Sequence, residues 1–236
     1  MNFAETAAAS YMTTARLILT TTSPLQKLID HQVEVVHSNC NQSAIEILKN
    51  DGWLQEAKLL TLYLEEINAG STWADQGWKN VSHYYHPVTG RGLRGWPTAA
   101  EECTRYFVMA INYISQLHIQ KGFFYLGAAV HLVQDMCVPY HSRNVVFAGH
   151  HRYERWADMY VEDYMVINGG LYNNNITSPG EWVVDNARAS FDLFSLVKDK
   201  SIRGYHLATA AMLPRTQRST AGFFHYFINQ IQNLHI

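Results

Sequence analysis

Apolar residues return every three to four positions in six stretches of the chain, at 44–67, 98–118, 122–136, 152–166, 182–196 and 217–234. Such spacing gathers them on one side of a 3.6-residue repeat, so each stretch is predicted to be a helix with one buried face. The second stretch starts just after Pro97, and strand-like alternation is scarce throughout. Loop-forming residues cluster at 68–95 (NAGST, HPVTGRG), at 137–149 and at 169–180 (GGLYNNNITSPG). The expected product is an all-α fold, a single multi-helix domain whose long loops carry function. Residues 1–36 are Ala-rich and then Thr-rich, with Pro24 interrupting, and two short helices are expected there.

Composition narrows the class. Of 236 residues, 47% are hydrophobic and 16% charged, far from the composition that keeps a chain disordered. The formal net charge is −2, which removes an electrostatic grip on nucleic acid as the default reading. No run of about 18 apolar residues is present to span a bilayer as a helix. Three cysteines, Cys40, Cys103 and Cys137, lack CxxC spacing and signal neither a disulfide framework nor a zinc ribbon. The first residues show no basic n-region or apolar core of a signal peptide.

Chemistry concentrates in the histidines, of which there are 12. In HLVQDMCVPYH, His131 and Asp135 are four apart and share one helix face, close enough to hold one metal ion. His150 and Glu154 repeat that geometry in HHRYE, with His141 between the pairs. These are imidazole and carboxylate ligands of the kind zinc takes. One such pair alone reads as an ordinary helix-face hydrogen bond. Five groups opening from an apolar stretch (FFYLGAAVH) read otherwise, because a buried helix should not carry His and Asp without partners. Asp75 and His83, in the loop GSTWADQGWKNVSHYYHP, are candidates to complete a site from elsewhere in the chain. His86 and His151 read as neighbours, not ligands. His118, His206, His225 and His235 show no ligand spacing, and Cys137 reads as a small packed hydrophobe.

The order and spacing of FYLGAAVHLVQDMCVPYH followed by HHRYE resemble the zinc-dependent bacterial phospholipase C family, which includes phosphatidylcholine-preferring enzymes of bacilli and the catalytic domain of clostridial alpha-toxin. HSNCNQSAIEILKND, GSTWAD, SHYYHP, EWVVDNARASFDLFS and QRSTAGFFHYF resemble further segments in the same order, from His37 to Phe227. The resemblance implies an all-α catalytic domain over 37–236, preceded by an extension at 1–36, with two or three zinc ions. One zinc would be held by Asp75, His83, His131 and Asp135, and a second by His141, His150 and Glu154. A third would be held by His37, with Asp135 bridging. The family completes its third site with an N-terminal Trp, whereas the first Trp here is Trp53, so His31 is considered as a substitute ligand. Gln76 and Asn80 stand where choline-preferring members carry aromatic residues, so choline preference does not transfer. Trp73, Trp78, Tyr84 and Tyr85 are candidates for another aromatic wall or for plain packing.

The implied reaction is hydrolysis of a phospholipid phosphodiester to diacylglycerol and a phosphorylated head group by metal-bound hydroxide, with Asp75 as both ligand and proton acceptor. Phospholipid would be the substrate partner, with peripheral membrane contact through loop residues, since the chain ends soon after QRSTAGFFHYF. The resemblance suggests a secreted or periplasmic protein, without a recognisable signal. The alternatives are a single-strand nuclease or phosphomonoesterase of the same fold, for which nucleic acid would be the partner, and a non-catalytic metal-stabilised binding protein.

Overall fold

The computed structural model describes residues 23–147 and 149–234, with side chains from Val36 onward. Their helices are α1 (Ser23–Asn50), α2 (Leu54–Leu62), α3 (Leu64–Ala74), α4 (Ala99–Ser115), α5 (Ile119–Asp135), α6 (Pro139–Ser142), α7 (His150–Met159), α8 (Pro179–Phe191), α9 (Phe194–Val197) and α10 (Ile202–Gln232). Short 3-10 turns lie at Gly77–Ser82 and Val161–Tyr164. Among the described residues there is no strand, only an isolated bridge between His86 and Arg91, as the all-α prediction requires.

Helix α5 is the centre of the core. Every residue from Leu126 to Asp135 is buried, so this helix is covered on all sides, with α3, α4, α8 and α10 packed about it. Two glycines set how closely α3 approaches. A Cβ on Gly70 would run into the Phe124 carbonyl oxygen, and one on Gly127 into that of Ile67. The two backbones therefore touch, and Ser71 Oγ donates to Gly127 O across the contact at 3.2 Å. The helices cross at this contact, and their C-terminal ends meet where Asp75 stands beside His131. Helix α4 starts where a reciprocal capping box fixes it: Thr98 N donates to Glu101 Oε2 at 2.7 Å, and Glu101 N to Thr98 Oγ1 at 3.2 Å.

Several boundaries differ from the sequence expectation, each for a physical reason. The stretch 44–67 is not one helix: α1 ends at Asn50, and Gly52 turns the chain with φ of +99°. Residues 68–74, expected as loop, continue α3, because Gly70 and Ser71 serve close helix packing instead of a turn. The last helix begins at Ile202, 15 residues earlier than expected, and carries Pro214 inside it. Its first half buries Ala208, Thr209 and Thr216 among larger side chains, a mixture without clear apolar contrast. Pro24 stands in the first turn of α1, where no N–H is needed, and does not interrupt it. That helix runs unbroken across the 36/37 position. The expectations for residues 1–22, including the first short helix and the leader pattern, lie outside the described residues. Cys40, Cys103 and Cys137 are all buried and free.

Candidate metal centre

Six parts of the fold deliver polar side chains into one buried pit. Helix α1 supplies His37, the end of α3 supplies Asp75, and the turn after the first 3-10 segment supplies His83. Helix α5 contributes His131 and Asp135 from its last turn, short α6 contributes His141, and α7 contributes His150 and Glu154 from its first turns. All eight residues carried over from the family pattern thus stand together. They form three groups whose ligand atoms lie within 4.8 Å of one another: His37, His131 and Asp135; Asp75, His83 and His131; and His141, His150 and Glu154. The carbonyl-bearing ends of α3 and α5 both point here, which favours positive charge.

Asp135 is the hub. Its Oδ2 lies 2.8 Å from His83 Nδ1, 3.4 Å from His131 Nε2 and 3.6 Å from His141 Nδ1, while Oδ1 lies 3.5 Å from His37 Nε2. Asp75 Oδ1 stands 3.8 Å from both His83 Nδ1 and His131 Nε2. Across the pit, Glu154 Oε1 lies 2.7 Å from His150 Nε2 and 3.3 Å from His141 Nε2, and those two nitrogens are 2.7 Å apart.

The outer atoms of the rings decide what the inner atoms offer. His83 Nε2 donates to Ala74 O at 3.1 Å, and His141 Nδ1 donates to His83 O at 2.7 Å. His37 Nδ1 donates to Gln134 Oε1 at 2.7 Å. A neutral imidazole has one N–H, so in the neutral rings these bonds leave His83 Nδ1, His141 Nε2 and His37 Nε2 as lone pairs facing the carboxylates, and a second proton on His141 Nε2 would take the place of a metal. Asp135 Oδ2, fully buried, accordingly receives no hydrogen bond despite its close neighbours. Lone pairs aimed at carboxylates repel unless a cation lies between them, and the donor set of imidazole and carboxylate is the one zinc takes.

The titration of these groups reflects the same field. Burial alone would raise the Asp135 carboxyl, but the fields of His131 and His141 hold it well below the usual range. Burial opposes ionisation of Glu154 too, and His150 and His141 overcome it. Burial pushes the His131 ring down to about 3, so it is neutral at physiological pH. His141 moves the other way: burial lowers it, but Asp135 and Glu154 outweigh that and pull it up to about 9. The pit attracts positive charge, and a proton and a metal ion compete for it.

Gln134 is the functional residue that spacing did not reveal. Its amide is held by two donations from Nε2, to Asn41 Oδ1 at 2.8 Å and Thr220 Oγ1 at 3.1 Å, which turns Oε1 toward His37. Asn41 is held in turn by Asn68 at 2.9 Å. This chain of amides fixes the His37 tautomer from three helices at once. Its only sequence sign is a buried-side Gln beside Asp135, which is no signal without the fold.

The remaining candidates separate cleanly. His151 is an exposed neighbour 3.5 Å from Glu154 Oε2, and His86 packs edge-on against Phe191. Cys137 is buried outside the three groups. Helix α1 carries the backbone of His31, whose side chain lies outside the described residues, as does His235. Of the four aromatic candidates, Tyr84 stacks on His141 at 5.0 Å, Trp73 packs edge-on to Tyr106 and Tyr125, and Tyr85 packs against the main core. Trp78 lies beside Trp96, their rings 6.4 Å apart.

With this geometry in hand, comparison with known proteins is informative. Residues 36–208 match the family model described as zinc dependent phospholipase C. A phospholipase C of Paraclostridium bifermentans is 23% identical over 235 residues, covering 84% of this chain and 59% of that protein. One from Bacillus cereus is 30% identical over 110 residues, covering 44% and 39% respectively. The structure of an alpha toxin from Clostridium absonum superposes with a TM-score of 0.75 at 22% identity, over 84% of this chain and 64% of that one. The chain thus spans less than two thirds of the length of these proteins. A family match over most of the chain, and a fold shared with the toxin, agree with the pit: this chain belongs to the zinc dependent phospholipase C family.

Proposed function

We propose that the chain is a phosphodiester hydrolase of the phospholipase C type, cleaving phospholipid to diacylglycerol and a phosphorylated head group. The observation that carries this reading is the buried pit of five imidazoles and three carboxylates, in which His37, His83 and His141 spend their outer nitrogens on acceptors and turn the other ring nitrogen inward. In this reading Asp75, His83, His131 and Asp135 hold one zinc, and His141, His150 and Glu154 a second. His37 and Asp135 hold a third. Zinc, when bound, supplies Lewis acidity that lowers the proton affinity of water and takes up charge on phosphoryl oxygens.

The protein's own groups divide the remaining work. Asp135 and Glu154, whose environment keeps them ionised, hold charge without exchanging protons. Asp75 is the most exposed of the three carboxylates, with 20% of its side chain accessible against 14% for Glu154 and 5% for Asp135. It would accept the proton of the attacking water. The water oxygen bonds to phosphorus, the bond from phosphorus to the glycerol oxygen breaks, and that oxygen takes up a proton to leave as diacylglycerol. Action outside the cytoplasm is part of the same proposal, supported by the toxin likeness; activity confined to the cytoplasmic fraction of the producing cell would contradict it.

The test is release of phosphorylated head group from a panel of phospholipids by zinc-loaded protein, against a chelated control. Chelator-sensitive release is expected, with Asp75→Asn lowering the rate while most of the metal remains bound. Release of mononucleotides from single-stranded DNA without head-group release would move the reading to a nuclease. Inactivity on both, with metal bound, would make the site structural.

A further inference from the structure

Helix α7 presents two chemically different faces. At 100° per residue, His150, Glu154 and Ala157 fall on one side, toward the pit, while Arg152, Arg155, Trp156 and Met159 fall on the other. That second side forms a wall of a cavity of about 480 Å³, closed by Lys200, Ile202 and Tyr205 at the start of α10. Arg152, Arg155 and Lys200 are the bases lining it, and Asp158 is the acid. The arginines and lysines that form ion pairs, Lys49, Arg105, Arg143 and Arg215, lie elsewhere. Three bases without an ion pair thus share one recess with a single acid, a local excess of positive charge in a chain whose net charge is −2.

Lys200 is held there by the backbone. It adopts φ of +56°, a conformation that a residue with a Cβ enters at a cost, and its side chain lies across Gly149 at the start of α7. A Cβ on Gly149 would come within 2.8 Å of Lys200 Cε. Two apolar residues of the lining are uncovered, Met159 at 71% and Ile202 at 67% exposed, and outside the lining Phe147, two residues before Gly149, is 82% exposed. Basic side chains beside exposed apolar ones match a surface that is anionic at the head groups and apolar just beneath. A free anion or a nucleic acid would use the bases and leave the exposed apolar residues without a role.

We propose that this cavity takes the phosphate of an anionic phospholipid head group and docks the chain on an anionic bilayer, with Met159, Ile202 and Phe147 entering the interface. The site is separate from the pit and does not rest on the hydrolytic reading. Because both belong to α7, docking through the outer face fixes the orientation of the face that carries His150 and Glu154.

The experiment is co-sedimentation of the full chain with phosphatidylcholine vesicles, with and without phosphatidylserine at about one lipid in three. Strong binding is expected only with the anionic lipid, undiminished when metal is chelated. Arg152→Gln with Arg155→Gln should weaken that binding by about 10- to 30-fold, the loss set by two bases near a charged surface. The same charge change made by Lys58→Gln with Lys121→Gln, on α2 and α5, should leave binding within about twofold. Met159→Ser with Ile202→Ser should weaken binding without changing its dependence on anionic lipid. The helical circular dichroism and melting temperature of the Arg152/Arg155 variant should match those of the native chain, which establishes that it is folded. Equal binding to neutral and anionic vesicles, or unchanged binding by that variant, would overturn the proposal. So would retention of single-stranded oligonucleotide or inorganic phosphate by a chain that ignores vesicles. A chain that docks but hydrolyses nothing would leave this inference standing and remove the hydrolytic one.

Discussion

Among the described residues, two places pair histidine with carboxylate inside the fold, and they are opposite in character. In one corner, His225 on α10 donates Nδ1–H to Glu56 on α2 at 2.9 Å, and Asn229 Nδ2 meets its Nε2 at 3.0 Å. Trp53 covers the ring at 4.2 Å. Each polar atom there has a complementary partner, and nothing is left over for a ligand. In the pit the outer nitrogens of His37, His83 and His141 are spent on Gln134 and two backbone carbonyls, so lone pairs and carboxylates face one another inward. A His–carboxylate contact is therefore no evidence of a metal site by itself. What distinguishes the site is an excess of acceptors over donors, maintained by hydrogen bonds on the far side of three of its five rings.

Breaking that excess should have the largest effect. Asp135→Asn replaces the oxygen shared among the groups with an amide; bound zinc should fall by at least one ion per chain and hydrolysis by roughly a thousandfold. Glu56→Gln in the other corner should leave metal content and rate unchanged, while urea denaturation shows a loss of about 1–3 kcal/mol. If both variants lost metal equally, the distinction between the two places would collapse.

Next in size is the clamp on His37. Gln134→Leu removes the acceptor that orients the ring and should weaken the metal held there by about 10- to 100-fold, read by titration with a competing chelator. Thr220→Val, which removes one of two holds on the Gln134 amide, should give the same effect in smaller measure. Stripping the metal should lower the melting temperature of the native chain, because an ion bound only by the folded state adds to stability. That decrement should shrink in Asp135→Asn and persist in Glu56→Gln.

The smallest effect concerns a carboxylate outside both places. Asp51 accepts from the N–H groups of Gly169 and Gly170 at 2.9 and 2.8 Å and from the Tyr172 hydroxyl at 2.8 Å. Burial raises its carboxyl, but those bonds lower it further, so the folded value lies below the ordinary one. Its contribution is therefore complete above the unfolded pKa of about 3.9 and is lost as pH falls through the folded value. Asp51→Asn should cost about 1 kcal/mol at pH 7, and the difference from the native chain should vanish in strong acid.

These cases also show which parts of the molecule can be read along the chain. His131 with Asp135 and His150 with Glu154 are local helix pairs, and spacing alone brings them out. Asp75, His83 and His37 join them only through the packing of α1, α3 and α5: the loop composition marks Asp75 and His83 as candidates without a partner, and His37 is marked only by the family pattern. Gln134, Asn41 and Thr220 come from three helices and carry ordinary polar side chains, which leaves no trace before the fold is known. The same logic applies to the helices. The capping box makes the start of α4 legible, whereas Gly70 reads as a loop residue because its purpose, contact with the Phe124 carbonyl, is tertiary. The first half of α10 was missed because its buried face mixes Thr and Ala with larger residues.

The most direct test of the account is anomalous diffraction at the zinc edge from crystals of the native chain grown with zinc. Two or three peaks are expected in the pit, each about 2.0–2.2 Å from ring nitrogens and carboxylate oxygens, and none beside His225 and Glu56. A pit without anomalous density, its imidazoles turned to donate N–H to Asp75, Asp135 and Glu154, would contradict it.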